Sequence, residues 1–305
     1  MIRYLKNNEI NKEKWDNCIS ASPQSLVYAE SWFLDIVSPG WEALVEDDYT
    51  SVFPLTYRNK IGINYLFQPF FTQQLGLFNA AGDISEGKLK MFLLAIPKKF
   101  RLIEIQLNSF NTIYHVDTFT IHQKVTYIVN LSESFEQISE NYSENLRRNI
   151  KKAKHSEINF SKKILFKDVI ELFRQNRGIK INKIRNSDYK TLLTLLEEAG
   201  RRNCLDCRGT TNSNGKLIAG VIFIKSKHSY ILLFSATNIE AKETGAMSLL
   251  IDSFLKDHSN EDVFLDFEGS MDANLARYYK SFGSKEIVYL QILKNDLPII
   301  IRWLK

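Results

Sequence analysis

Two carboxylates and two tyrosines set the chemistry that this chain can do. They lie together in Leu265–Gly283, LDFEGSMDANLARYYKSFG. Val263, Phe264 and Leu265 form an apolar lead-in, Asp266, Phe267 and Glu268 alternate behind it, and Gly269-Ser270 break the pattern. Leu275, Tyr278, Tyr279 and Phe282 then recur at helical spacing up to Gly283. The segment reads as strand, turn, helix, with the acids at the C-terminal end of the strand. Ligand crevices in open α/β sheets form outside such strand ends. Alternation places Asp266 and Glu268 on one face, where neighbouring carboxylates push one pKa upward. Both are candidates for proton transfer, Glu268 first because it is nearer the strand end. Tyr278 and Tyr279 are candidates to line or close the site. The competing reading pairs the acids with local backbone N–H groups or Arg277 and leaves the tyrosines as packing.

The elements around this segment repeat. Val52–Tyr57, a turn at Arg58-Asn59-Lys60 and Ile61–Phe67 read as a hairpin, as do Ala219–Ile224, Lys225–His228 and Ser229–Phe234. A polar loop with a glycine follows each, Gly76 and Gly245. A helical pattern comes next, Glu86–Lys98 and Ala246–His258, and then a strand, Leu102–Leu107 and Val263–Phe267. Two copies of hairpin, loop, helix and strand argue for a duplicated architecture. Further helices are expected at Lys12–Cys18, Ala29–Val37, 135–141, 143–154, 167–176 and 187–201. Ser134 and Gln137 have the form of a capping box. On the helix from 143, Leu146, Ile150 and Ala153 form the inward stripe, and Asn176–Asn186 reads as a mobile basic connection. The expected division falls near residue 130.

At 305 residues, 44% hydrophobic and 25% charged, the chain suits one large globular domain or two smaller ones. No apolar run approaches the roughly 18 residues that span a bilayer, and the first residues lack a signal-peptide core. A soluble, cytoplasmic protein is expected. The net charge of +5 permits an anionic partner without demanding one. Three cysteines suggest no disulfide framework. Cys204 and Cys207 form a lone C-x-x-C on a predicted strand, and the five histidines show no metal-ligand spacing.

The run Asp266-Phe267-Glu268-Gly269-Ser270, followed by Ala-Arg-Tyr-Tyr-Lys-Ser-Phe-Gly at 276–283, resembles the FemABX-like proteins, tandem relatives of the GNAT acyltransferases. Leu146–Ala153, LRRNIKKA, is similar to the basic helix that opens their second half, and Ala241–Met247, AKETGAM, stands where GNAT enzymes carry a pyrophosphate loop. The resemblance covers residues 140–290 well and the first half loosely. It implies an α/β protein of two tandem GNAT-like domains with mixed central sheets: a degenerate one at 1–130, and one at 131–305 carrying the acidic strand end.

The implied activity is acyl or aminoacyl transfer to an amine, with Glu268 taking the proton of the amine. Tyr279, four residues before Gly283, would protonate the leaving group. Backbone N–H groups at a bulged strand near Ser235 would hold the oxyanion, and Ser270 would join the substrate contacts. Lys242, Thr244, Gly245 and Ala246 would bind phosphate at a helix start, and Arg147 and Lys151 would clamp further phosphates. Met247 stands where the loop expects a second small residue, which turns the expected donor from acyl-CoA toward aminoacyl-tRNA. In the first half, Gln68, beside Tyr65, Phe70 and Phe71, would help form the acceptor groove. The expected acceptor is a small molecule or a cell-wall (peptidoglycan) precursor, with tRNA as a possible partner and no metal or tightly bound cofactor required. The alternatives are a CoA-dependent N-acetyltransferase of small amines and a non-catalytic ligand-binding relative.

Overall fold

The computed structural model describes residues 1–180, 184–269 and 271–297. It divides into two compact units, Met1–Val125 with the chain from Ile287 onward, and Thr126–Glu286.

In the first unit, β1 (Ile2–Leu5) leads to α1 (Lys12–Ala21) and α2 (Ser31–Val37), and the Asn11 side chain caps α1 by accepting from the Lys14 N–H. Next come β2 (Glu42–Glu46), β3 (Ser51–Leu55), β4 (Tyr57–Lys60), β5 (Ile63–Phe67), β6 (Phe78–Asn79), α3 (Glu86–Leu94) and β7 (Phe100–Gln106). β1, β2, β3 and β6 form one antiparallel sheet in that order. β4 and β5 form a hairpin, and β7 returns parallel to β5 after α3. Phe53, Leu66, Leu89, Phe92 and Ile103 belong to the core between them.

The strand expected at Val52–Tyr57 is two strands, since β3 pairs with β2 and β4 pairs with β5. The turn expected at Arg58–Lys60 lies at Ile61-Gly62, where both residues have positive φ. That conformation matches the strand twist of a two-residue hairpin, and Gly62 adopts it without steric cost.

The chain passes into the second unit along β8 (Thr120–Asn130). There follow α4 (Phe135–Glu140), α5 (Glu144–His155), β9 (Ile158–Ser161), α6 (Phe166–Gln175), α7 (Asn186–Arg201), β10 (Leu205–Asn212), β11 (Leu217–Lys225), β12 (Ser229–Thr237), α8 (Ile239–Thr244), α9 (Ala246–His258), β13 (Phe264–Asp266) and α10 (Ala273–Lys280). The strand order is β8-β13-β12-β11-β10-β9, with β12 and β13 parallel and the other pairs antiparallel. The capping box at Ser134 and Gln137 starts α4. The inward stripe of α5 is Leu146, Ile150 and Ala153.

α9 is held to the sheet by a stacked pair, Phe254 on Phe223 with centroids 3.7 Å apart. The buried Arg208 of β10 also binds Asp257 of α9 at 2.6 Å and Asp206 at 2.7 Å. Burying one such phenylalanine contributes about 1.5–3 kcal/mol.

The hairpin, crossover helix and parallel strand occur in both units, as β4-β5-α3-β7 and as β11-β12-α9-β13. β14 (Lys285–Asn295) follows α10. A second domain running on to residue 305 does not match this division. Leu102–Gln106 of β7 find antiparallel partners in Gln291–Asn295, so the last strand is counted with the first unit.

Candidate functional site

β12 and β13 pair over only three residues, Ser229 with Phe264, Tyr230 with Leu265 and Ile231 with Asp266. β13 stops at Asp266 while β12 runs on to Thr237. A bulge coincides with the parting. Phe234 lies opposite Ile222 and Leu232 opposite Phe223, so Leu233 is one residue too many for β11. Bulges bend a strand and leave a backbone group out of the ladder. A cavity of about 350 Å3 opens at this split.

Five helices besides β12 wall the cavity. β12 gives Leu232, Ser235, Ala236 and Thr237, and α8 gives Ala241 and Lys242. The start of α9 gives Met247, Ser248 and Ile251, and α10 gives Leu275, Tyr278 and Tyr279. Asn149 of α5, Phe173 of α6 and Arg177 beyond it complete the wall. Lys242 and Arg177 are the cations of this lining, which contains no acid. Neither forms an ion pair with a described residue.

Gly245 makes the geometry possible. The expected phosphate loop is instead the short helix α8, which Gly245 ends at φ 77° and from which α9 starts. A Cβ at Gly245 would stand 2.6 Å from the Asn149 carbonyl oxygen, so only glycine allows α5 this close. Gly245 and the first turn of α9, through Met247 and Ser248, line the cavity, where a helix start favours an anion. Thr244 does not turn its hydroxyl to a ligand, because it donates to the Glu240 carbonyl at 2.9 Å. Ala246 is buried.

Tyr279 is buried with its ring stacked on Phe267, centroids 4.8 Å apart and planes 13° apart. Burial, then the charge of Glu268, pushes its phenol far above the ordinary value, while Arg177 works in the opposite direction. Tyr278 is raised by burial too, with its hydroxyl 3.4 Å from Ser248 Oγ. Both phenols are therefore neutral proton donors at physiological pH.

The two acids do not share a face. The strand ends at Asp266, and Glu268 takes a left-handed conformation with φ 53°, which destroys the alternation. Asp266 is buried. It accepts from the Glu268 N–H at 2.7 Å and from the Thr126 hydroxyl, and burial raises its pKa to about 6. It holds the turn that Glu268 occupies. Glu268 itself is outside the cavity lining, but close enough for its charge to act on Tyr279.

Of the residues expected from sequence, Ser235, Lys242, Gly245 and Tyr279 stand in this one wall, and Arg147, Lys151 and Gln68 do not. Arg147 caps α4, donating to the carbonyls of Ser139, Glu140 and Tyr142 at 2.9–3.1 Å. Lys151 borders a separate depression between α4, α5 and α9. Gln68, in the first unit, donates to the Thr72 carbonyl and accepts from the Gln106 N–H, tying its loop to β7. Ser270 lies outside the described residues. Sequence reasoning missed Asn149 and Phe173 as wall residues. It met Arg177 only as part of a basic connection, and no local signal aims that connection at a cavity.

Cys207 is buried and its thiol is pushed up to about 12, and the Cys204 Sγ lies 3.4 Å from the Ala199 carbonyl. Among the described residues, no group of three or more His, Cys, Asp or Glu is placed to hold a metal ion. No helix among them is long and apolar enough to cross a membrane.

No family profile matches the chain, and no curated protein matches it in sequence. Solved structures do match in fold. FemX is similar with a TM-score of 0.64 and 10% identity, over 94% of this chain and 96% of that one. A conserved protein of unknown function from Bacteroides thetaiotaomicron has a TM-score of 0.58 and 12% identity, over 97% and 100% of the two chains. The C-terminal domain of a putative lysylphosphatidylglycerol synthetase from Agrobacterium fabrum has a TM-score of 0.55 and 10% identity, over 93% and 91%. The chain thus has a FemABX/GNAT-like α/β fold, with GNAT-like units in tandem.

Proposed function

We propose that the second unit transfers an activated acyl or aminoacyl group to an amine in the cavity beside the bulge of β12. The observation that carries this reading is the split itself. It exposes a bulged strand, a helix start and two neutral phenols around one space of about 350 Å3. The bulge at Leu233 supplies backbone N–H to the oxyanion that develops as the amine attacks the carbonyl carbon. Lys242, Arg177 and the start of α9 hold the anionic handle of the donor. Glu268, the carboxylate whose charge reaches Tyr279, takes the proton released by the amine. Tyr279 or Tyr278 returns a proton to the leaving oxygen or sulfur. Asp266 is a positioning residue.

The donor is aminoacyl-tRNA or a CoA thioester. The family resemblance, with Met247 at the loop, supports the first. The start of α9 beside Lys242 supports the second. The acceptor to test first is a cell-wall precursor amine, as that resemblance implies. Purified chain is incubated with each donor and a panel of amines, and the acylated amine is sought by mass spectrometry. An acylated amine from either donor supports the reading. It fails if no amine is acylated and neither donor shifts the melting temperature. A melting shift without turnover would point to a binding protein.

A further inference from the structure

Two segments of the first unit carry the positive excess of the chain. Tyr57–Gly62 and Gly87–Ile103 hold seven Lys and Arg and no Asp or Glu. The whole chain has 40 Lys and Arg against 35 Asp and Glu, so outside these segments the acids are in the majority. Lys88 and Lys99 are paired, with Glu46 and Glu42 of β2. Arg58, Lys60, Lys90, Lys98 and Arg101 are exposed and form no ion pair with a described residue. The topology gathers both segments at one end of the unit. β5 and β7 are parallel, with Asn64 opposite Phe100, so the β4-β5 turn lies beside the entry to β7. α3 connects these parallel strands, so it runs against them and its last turn, at Leu94, returns to the same end.

That end also exposes aliphatic side chains. Ile61 is 78% exposed, Leu94 59% and Met91 54%. α3 and the turn after it give Leu89, Phe92, Leu93 and Ile96 to the core and leave Lys90, Met91 and Leu94 on the outward face. A single exposed apolar side chain is ordinary on a protein surface. Ile61 is not ordinary. It takes the first position of a two-residue turn with φ 53°, where Asn or Gly is favoured and a β-branched side chain is strained. Backbone preference alone would put a polar residue at this tip, and the chain keeps an aliphatic one between Lys60 and Gly62.

We infer that this end of the first unit docks on an anionic lipid bilayer, with Ile61 and Leu94 entering the headgroup boundary and Lys60, Lys90 and Lys98 against lipid phosphates. Aliphatic side chains set among unpaired Lys and Arg match such a surface, which is negatively charged above and apolar just below. A nucleic acid would match the cations alone, because its bases stack on aromatic rings and offer Ile61 and Leu94 nothing to enter. The docking is peripheral. It is independent of acyl transfer and stands or falls by binding alone.

Co-sedimentation of the full chain with unilamellar vesicles tests it, using phosphatidylcholine alone and an equal mixture with phosphatidylglycerol. The mixed vesicles should bind roughly tenfold more tightly than the neutral ones, and added salt should weaken that binding. Ile61→Asn suits the turn better, so this variant should melt no lower than the unaltered chain. It should nevertheless bind the mixed vesicles more weakly, and roughly tenfold more weakly once Leu94→Gln is added. Lys60→Glu with Lys98→Glu should remove binding to the mixed vesicles. A labelled tRNA followed by fluorescence anisotropy is the competing probe. No binding to the mixed vesicles overturns the inference, and tRNA binding in that case assigns this end to RNA. Vesicle binding that the folded Ile61→Asn, Leu94→Gln variant leaves unchanged also overturns it, because charge alone would then explain the adhesion.

Discussion

At the scale of single residues, the decisive facts are what holds Tyr279 and which donors Asp266 accepts from. Stacked on Phe267 and buried, Tyr279 keeps its proton. Tyr279→Phe removes one hydroxyl and preserves the stack, so the turnover number should fall by roughly 10² with little change in melting temperature. Glu268→Gln should lower it by roughly 10²–10⁴ if Glu268 takes the amine's proton. Steady-state rates against pH check both, and a rate unchanged by Glu268→Gln would assign the base to another group.

Asp266 makes a different prediction, about stability. Its pKa is raised to about 6 from the ordinary 3.8, so the folded chain binds this proton more tightly than the unfolded one. Its contribution is full below about pH 4 and is lost as pH rises through about 6, a change of roughly 2–3 kcal/mol. Asp266→Asn should therefore gain stability over the unaltered chain between pH 5 and pH 7, measured by urea denaturation at each pH. A difference that stays constant over that window would show that burial does not govern Asp266. The acids were legible as strand-end residues from their spacing. Their division of labour was not, because it depends on the left-handed turn at Glu268 and on Thr126, which is far away in the chain.

At the scale of elements, α8, Gly245 and α9 form the hinge of the site. Gly245→Ala sets a Cβ against the Asn149 carbonyl and puts a side chain at φ 77°. It should cost on the order of 1–3 kcal/mol and enlarge the gap between α5 and α9. Chemical denaturation reads the first effect, and a weaker affinity for the donor reads the second. A variant with unaltered stability would mean that α5 yields easily.

The helices were largely legible, since their apolar periods and caps are local. Ala246–His258 begins and ends where its pattern does. What sequence could not supply was α8 in place of an open loop, or the strand exchange near Thr56, where β3 and β4 join different partners. Both outcomes are set by tertiary packing, which overrides weak local preference.

At the scale of the whole molecule, the repeated unit was readable and the ownership of the last strand was not. β14 follows an unbroken run that completes the second unit, yet Gln291–Asn295 pair with β7 of the first. Only pairing across a long stretch of chain decides that, and no local period reports it. Deleting residues from 287 onward should leave β7 with an unpaired edge and promote association of the product. Size-exclusion chromatography reads this, and a monomer with unchanged thermal stability would remove β14 from the account.

The same strand has a consequence for how the chain is made. Synthesis proceeds from the N-terminus, so every residue of the second unit emerges before the first can acquire its final strand. The unit begun earliest is the one finished last. Until residues 287–295 leave the ribosome, β7 waits with one side open, and any pause in translation before that point prolongs its exposure to other nascent chains.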